Sequence, residues 1–270
     1  SVLTFISIPG IAYRNNWLFL QLAMGYMLGR VLVSIFLLPG YYGKGITSIY
    51  ETIEIRFGPL VQKIASMIFM ITRVLADGIR FLATAVIVQV ITGWSLTAAV
   101  LVIGVVTLIY TWSGGIRTVV LIDSFQFILY LSGAVISILY LINYIDNSFM
   151  QIFSELFDSG KLKTIDATGN IFIAPWNFIS AFIGGTLLSF ASHGADYMMV
   201  QRVLGCKSLH DARKAMIGSG VFVFIQFTLF LIVGSLLFIF FGGAELEKDR
   251  EFSTFIVQHL PVGIQGILLA

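Results

Sequence analysis

From Val119 to Ile142 the chain reads VVLIDSFQFILYLSGAVISILYLI, 24 residues in which Asp123 is the sole charge. This stretch, taken to Asn143, is one of six long apolar segments; the others are Trp17 to Leu38, Ile64 to Thr92, Leu96 to Trp112, Phe172 to Val200 and Ile217 to Phe241. About 20 apolar residues in a helix match the hydrocarbon thickness of a bilayer. A backbone in hydrocarbon must satisfy its own hydrogen bonds, which leaves helices or closed barrels. Segments of this length predict an all-α polytopic membrane protein. A content of 58% hydrophobic and 11% charged residues, and a mean hydropathy of +0.95, agree with that class.

Counting Ser1 to Ala12 as half of a first helix and Gly263 to Ala270 as the opening of an eighth, the connections alternate across the bilayer. With the Tyr13 to Asn16 turn outside, the inner connections carry eight Lys and Arg against five outside. The positive-inside rule supports that orientation in a plasma (inner) membrane. The segment Gly43 to Phe57 is periodic enough for a short interfacial helix, and Phe149 to Phe157 for another in the outer loop. The SVLTFISIPGIAY start has no basic leader and the LPVGIQGILLA end is an incomplete span, so an internal piece of a longer transporter is expected.

Several function classes lose their support. A single cysteine, Cys206, gives no disulfide framework or multi-cysteine metal site. A net charge of +2 without basic runs interleaved with aromatics excludes a nucleic-acid partner. No nucleophile elbow, HExxH, P-loop or paired intramembrane carboxylate with a nearby nucleophile occurs, so no enzyme is expected. Gly114-Gly115, after Trp112-Ser113, reads as a turn.

Charges inside the apolar segments are costly and mark ion or solute pathways. Asp123 has no Lys or Arg within one helical turn, and a mobile cation such as sodium is its simplest partner; protonation or an arginine from another helix is the alternative. Arg73, Asp77 and Arg80 fall on one helical face, so Asp77 can pair with either arginine and one positive charge is left over. The cluster is either a structural ion group or a receptor for an anionic solute, whose carboxylate a guanidinium grips with two hydrogen bonds. Ser189, Ser192 and His193 interrupt the apolar pattern and would line a cavity or a helix interface. Ser1, Thr4 and Ser7 precede Pro9-Gly10, a dipeptide able to break a helix and expose carbonyls at a midplane site.

Four ordered motifs carry a resemblance to the sodium:solute symporter family: TWSGGIRTVVLIDSFQ from Thr111 to Gln126, GADYMMVQRVLGCKSLHDARKA from Gly194 to Ala215, ITSIYETIEIRFG ending at Gly58, and the closing LPVGIQGILLA. The resemblance implies one transmembrane domain over residues 1–270 with a five-plus-five inverted-repeat fold. That domain would run from a partial core helix one to the start of core helix eight, with helices one and six broken. It implies Asp123 as a sodium-site acid, Na+ as the co-transported ion, and Ser1, Thr4, Gln21, Arg73, Ser189 and Ser192 as solute-facing residues, with Arg80 replacing Arg73 if a gap is placed differently; His193, next to Ser192 in the broken apolar pattern, joins them as a solute-facing candidate. Sugar-transporting relatives carry an acid on helix two, Asn and Tyr on helix six and Lys on helix seven. Gln21, Ser189, Ser192 and Val223 stand there instead, which favours a small organic anion such as a sugar acid, monocarboxylate or amino acid. A symporter-like sensory input module of a signalling protein is the alternative.

Overall fold

The computed structural model describes residues 2–43 and 48–269 and is all-helical among them. Ser1 and part of the expected inner-loop helix lie outside the described residues. The helices are α1 (Val2–Arg14), α2 (Phe19–Leu32), a π-helical turn (Val33–Leu37), α3 (Leu38–Gly43), α4 (Ile49–Phe57), α5 (Pro59–Thr92), α6 (Leu96–Tyr144), α7 (Phe149–Asp158), α8 (Phe178–Gly194), α9 (Tyr197–Leu204), α10 (Leu209–Phe240), α11 (Glu251–His259) and α12 (Val262–Leu269).

Local chemistry sets the starts. The first amides of a helix lack intrahelical acceptors, and a short polar side chain just before them supplies one. Ser95 accepts from the Ala98 amide, Asn177 from Ile179, and Asp196 from both Met198 and Met199. Ser148 and Gln151 form a reciprocal capping box ahead of α7, the outer-loop helix expected from its periodicity.

Three described helical stretches are long and apolar enough to cross a membrane: Phe19–Gly43, Thr118–Tyr144 and Leu209–Phe240. A fourth arises if α8 and α9, bent by 63° at Ala195-Asp196, form one broken span. α5 is a 34-residue helix with Arg73, Asp77 and Arg80 along its middle.

Two expectations are corrected. Gly114-Gly115 is not a turn: α6 passes through it and joins two of the expected segments into 49 residues, about 74 Å of helix. Neither glycine has positive φ, and a Cβ at Gly114 would collide with the Thr118 side chain one turn on, so Gly114 makes room inside a helix. The strict alternation of connections therefore does not hold at this point. Pro9-Gly10 does not interrupt α1 either, which is continuous from Val2 to Arg14.

The chain divides into two compact units, interleaved in sequence: Ser1–Asn15, Arg73–Lys161 and Leu229–Ala270 form the first, Asn16–Thr72 and Leu162–Thr228 the second. In the first, α1 packs on α11, and the Pro9 carbonyl lies against Gly234 of α10 where a Cβ could not fit. Phe5 sits among Tyr130, Phe230 and Phe252 at ring separations of 4.8 to 6.5 Å, largely edge-on, as the ring quadrupoles favour.

The second unit is organised by α2 against α8. Gly25 and Gly29, spaced as a GxxxG pair, face the α8 backbone at Phe182 to Phe190, while Gly185 faces the Leu22 carbonyl. Helices in lipid gain little from hydrophobic exclusion and associate through close van der Waals approach, which small residues permit. Below this crossing Val33, Leu38, Ala212 and Met216 form a buried cluster with Tyr41 and Tyr42. The two phenols donate to the Gly194 carbonyl at 2.7 Å and to those of Val203 and Cys206 at 2.9 and 3.1 Å, closing the ends of α8 and α9.

Candidate functional site

Asp123 is exposed on α6, between turns whose Val120, Leu121 and Phe125 side chains are also exposed. In the same unit, Arg73 Nε donates to Asp77 at 2.8 Å and Arg80 Nη1 donates to the other Asp77 oxygen at 3.1 Å. Asp77 thus bridges both arginines at the helical spacings read from sequence, and the triad keeps one net positive charge. Thr4 is half-buried on α1.

The remaining sequence-selected residues lie in the second unit, and two have their polar atoms committed to the fold. Gln21 is fully buried. Its amide donates to the Trp176 carbonyl at 3.0 Å and to Leu18 at 3.3 Å, and its Oε1 accepts from the Asp166 amide at 2.9 Å. Gln21 is therefore the anchor of the loop between α7 and α8. Ser189, also buried, donates to the Tyr26 carbonyl at 2.9 Å, bracing the α2 and α8 crossing. Of the two readings left open by its sequence context, cavity lining or helix interface, it occupies the interface. Ser192 and His193 are half-buried, with Ser192 Oγ 2.9 Å from His193 Nδ1, just before the bend into α9.

The anchored loop has its own electrostatics. Asp166 accepts from the Thr168 hydroxyl at 2.6 Å and amide at 3.0 Å, and from Lys163 at 2.9 Å. Led by the Thr168 hydroxyl, these bonds favour the carboxylate and hold its pKa down at about 2. Burial lowers the Lys161 pKa; its ammonium donates to the Tyr13 carbonyl at 2.6 Å and lies 4.0 Å over the Phe238 ring.

Two features escaped the sequence reading. Arg30, only 6% exposed, lies in the last turn of α2, near the middle of the stretch Phe19–Gly43, and its Nε and Nη1 have no hydrogen-bond partner among the described residues. The signal was present: Arg30 is the sole charge between Trp17 and Leu38, as Asp123 is in its own run. The second is Glu251, fully buried at the start of α11 and paired with Arg14, whose Nη2 also lies 3.0 Å from Asp249. Both ends of that group look like ordinary loop charges in sequence. A cavity of about 550 Å³ beside Tyr144, Phe240 and His259 is lined by none of the residues selected from sequence.

The family model for the sodium:solute symporter family matches residues 1–270. The human sodium/iodide cotransporter is 27% identical over 280 aligned residues, covering 100% of this chain and 43% of the cotransporter. Human sodium-coupled monocarboxylate transporter 1 is 29% identical over 80% of the chain and 35% of its own length. The sodium/sialic acid symporter SiaT of Proteus mirabilis is 27% identical, over 100% of the chain and 55% of the symporter. A solved structure, the substrate-bound outward-open state of a Na+-coupled sialic acid symporter with a novel Na+ site, superimposes with a TM-score of 0.86 at 26% identity, over 100% of this chain and 57% of that one. The chain spans about half the length or less of these relatives. Matched from end to end by the family model and carrying its helical architecture, the chain belongs to the sodium:solute symporter family.

Proposed function

We propose that this chain forms part of a sodium-coupled symporter that moves a small organic anion by alternating access. The observation that carries the proposal is that Asp123 is the sole charged residue in a 24-residue apolar run of a chain matched throughout by the family model. Sodium favours hard oxygen ligands, by extension from the preferences of the hard divalent cations, and a carboxylate on a membrane helix supplies one. Arg73 receives the anionic group of the solute: its guanidinium is permanently charged and its planar donor edge matches a carboxylate. Ser192 and His193 offer a polar pair on α8 for the solute. Iodide, monocarboxylates and sialic acid are named for the relatives, and an anion is what they have in common.

Coupling requires that sodium and solute each bind one conformation better than the other, since equal affinities shift no population. The experiment is uptake by the full-length protein in proteoliposomes, with labelled sugar acids, monocarboxylates, amino acids and neutral sugars, with and without an inward sodium gradient. Sodium-driven accumulation of an anion is the expected outcome. Saturable solute binding without sodium-driven uptake would replace the symporter reading with the sensory-module one.

A further inference from the structure

We propose that Arg30 is the centre of an anion-binding site inside the second unit, accepting a small monovalent anion, halide or carboxylate. This site is separate from the Arg73, Asp77 and Arg80 group and does not depend on sodium coupling. Arg30 lies 11 residues after the start of α2 and 13 before Gly43, near the middle of the apolar stretch Phe19–Gly43. At 1.5 Å per residue it stands roughly 16 Å or more from either end. An arginine keeps its charge in proteins, so it cannot escape the cost of burial by losing a proton. It is more than nine-tenths buried, yet two of its nitrogens, Nε and Nη1, meet no acceptor among the described residues. Buried polar atoms are nearly always satisfied, and an unpaired buried charge is among the costliest features a fold can hold.

Among the described residues Arg30 has no carboxylate partner. Tyr26 lies one turn before Arg30 on the same face of α2, and both Tyr26 and His193 are within electrostatic range of the guanidinium. Gly220 of α10 faces it: a Cβ there would stand 3.3 Å from Arg30 Cδ and 3.8 Å from Nη1. Three residues after Arg30 the helix widens into the π-turn Val33–Leu37, a deviation frequent at functional sites. There the Ser34 carbonyl accepts from Arg213 Nε at 2.9 Å, so Arg213 is already engaged and Arg30 is left with its donors available. The two unpartnered donors, Nε and Nη1, face different sides of the guanidinium, so each offers a single charge-assisted N–H bond to a halide or to a carboxylate oxygen.

The test uses the full-length protein purified in detergent, with sodium held constant and sodium HEPES exchanged for sodium bromide or sodium pyruvate. Unfolding is followed by intrinsic fluorescence. An anion that binds only the folded state raises Tm along a saturable curve. The expected result is saturation by bromide, pyruvate or both, with the Arg30→Met response lost and the Arg30→Lys midpoint shifted to about tenfold or more higher anion concentration. Arg30→Met without anion should unfold at an equal or higher temperature than the parent, because an unpaired buried charge has been removed. Bromide alone acting identifies an inorganic site, and pyruvate alone a carboxylate site. A purely linear response to salt in the parent, or an unchanged midpoint in Arg30→Met, would overturn the proposal. If Arg30→Met does not fold, Arg30→Gln is read by the same criteria. Because sodium is fixed and no transport is measured, failure here leaves the symporter reading intact, and failure of uptake leaves this one intact.

Discussion

Glu251, at the first position of α11, is entirely shielded from solvent and pairs with Arg14 at the end of α1, 237 positions earlier in the chain. The second carboxylate oxygen, Oε2, has no hydrogen-bond partner among the described residues, and a Cβ on Gly10 would stand 2.9 Å from it. Asp249 joins the group in a left-handed conformation with φ of 62°, a conformation that costs a residue with a side chain energy and persists only where its surroundings enforce it. Removing Arg14 strands the fully buried Glu251: Arg14→Met should cost about 3–5 kcal/mol, while the apolar double replacement Arg14→Met with Glu251→Met should recover most of it. Thermal unfolding of the four members of the cycle in detergent measures the coupling. Additive losses would mean that the two residues act independently.

The crossing of α2 and α8 predicts a steep response to volume. A methyl group at Gly25 or Gly29 would meet the α8 backbone itself, which cannot rotate away as a side chain can. Gly29→Val should destabilise the protein by at least about 1–3 kcal/mol, the usual cost of overpacking. The same change at Gly40, with open space around it, should be close to neutral. Expression level and detergent unfolding temperature compare the pair.

For transport, Asp123→Asn should raise the sodium concentration for half-maximal uptake by about tenfold or more, equivalent to ~1.4 kcal/mol, with the protein still folded. An unchanged sodium curve would remove Asp123 from the ion route. Arg73→Lys should raise the KM for the anion more than Arg80→Lys does, since lysine lacks the planar two-donor edge. The opposite order would transfer the role to Arg80.

The loop held by Gln21 predicts an acid-labile limb. Asp166 has its pKa lowered from 3.8 to about 2, so its contribution is fully present above 3.8 and is lost as pH falls through about 2. Asp166→Asn should remove that limb from the pH dependence of unfolding. Gln21→Leu should leave the Asp166 amide and the Trp176 carbonyl unpaired and weaken the same loop at every pH. The fluorescence of Trp17 and Trp176, which flank the loop, reports both; Trp17 donates its amide to the Lys163 carbonyl at 3.1 Å.

Much of the helical organisation was legible because its causes are local. The apolar runs, the periodicity of Phe149 to Phe157 and the i,i+3 and i,i+4 spacing around Asp77 act over a few residues, and the structure contains each. Where local cues misled, a competing local term won. Two glycines in α6 did not stop a helix flanked by long apolar stretches, and Pro9 was accommodated inside α1.

The sequence by itself determined the class of the protein: helices because hydrocarbon leaves the backbone no external partners, and the symporter family because ordered motifs extend across the chain. Only the tertiary structure decided which partners the polar groups of the apolar segments meet. Helical periodicity tells which residues share a face, but the partner of that face comes from far along the chain. Gln21 meets Asp166 across 145 positions and Ser189 meets Tyr26 across 163, and both are thereby consumed by the fold. Arg30, read by the same rules, is left with donors unspent because α8 and α10 bring it no acceptor, and that difference arises only when the helices pack.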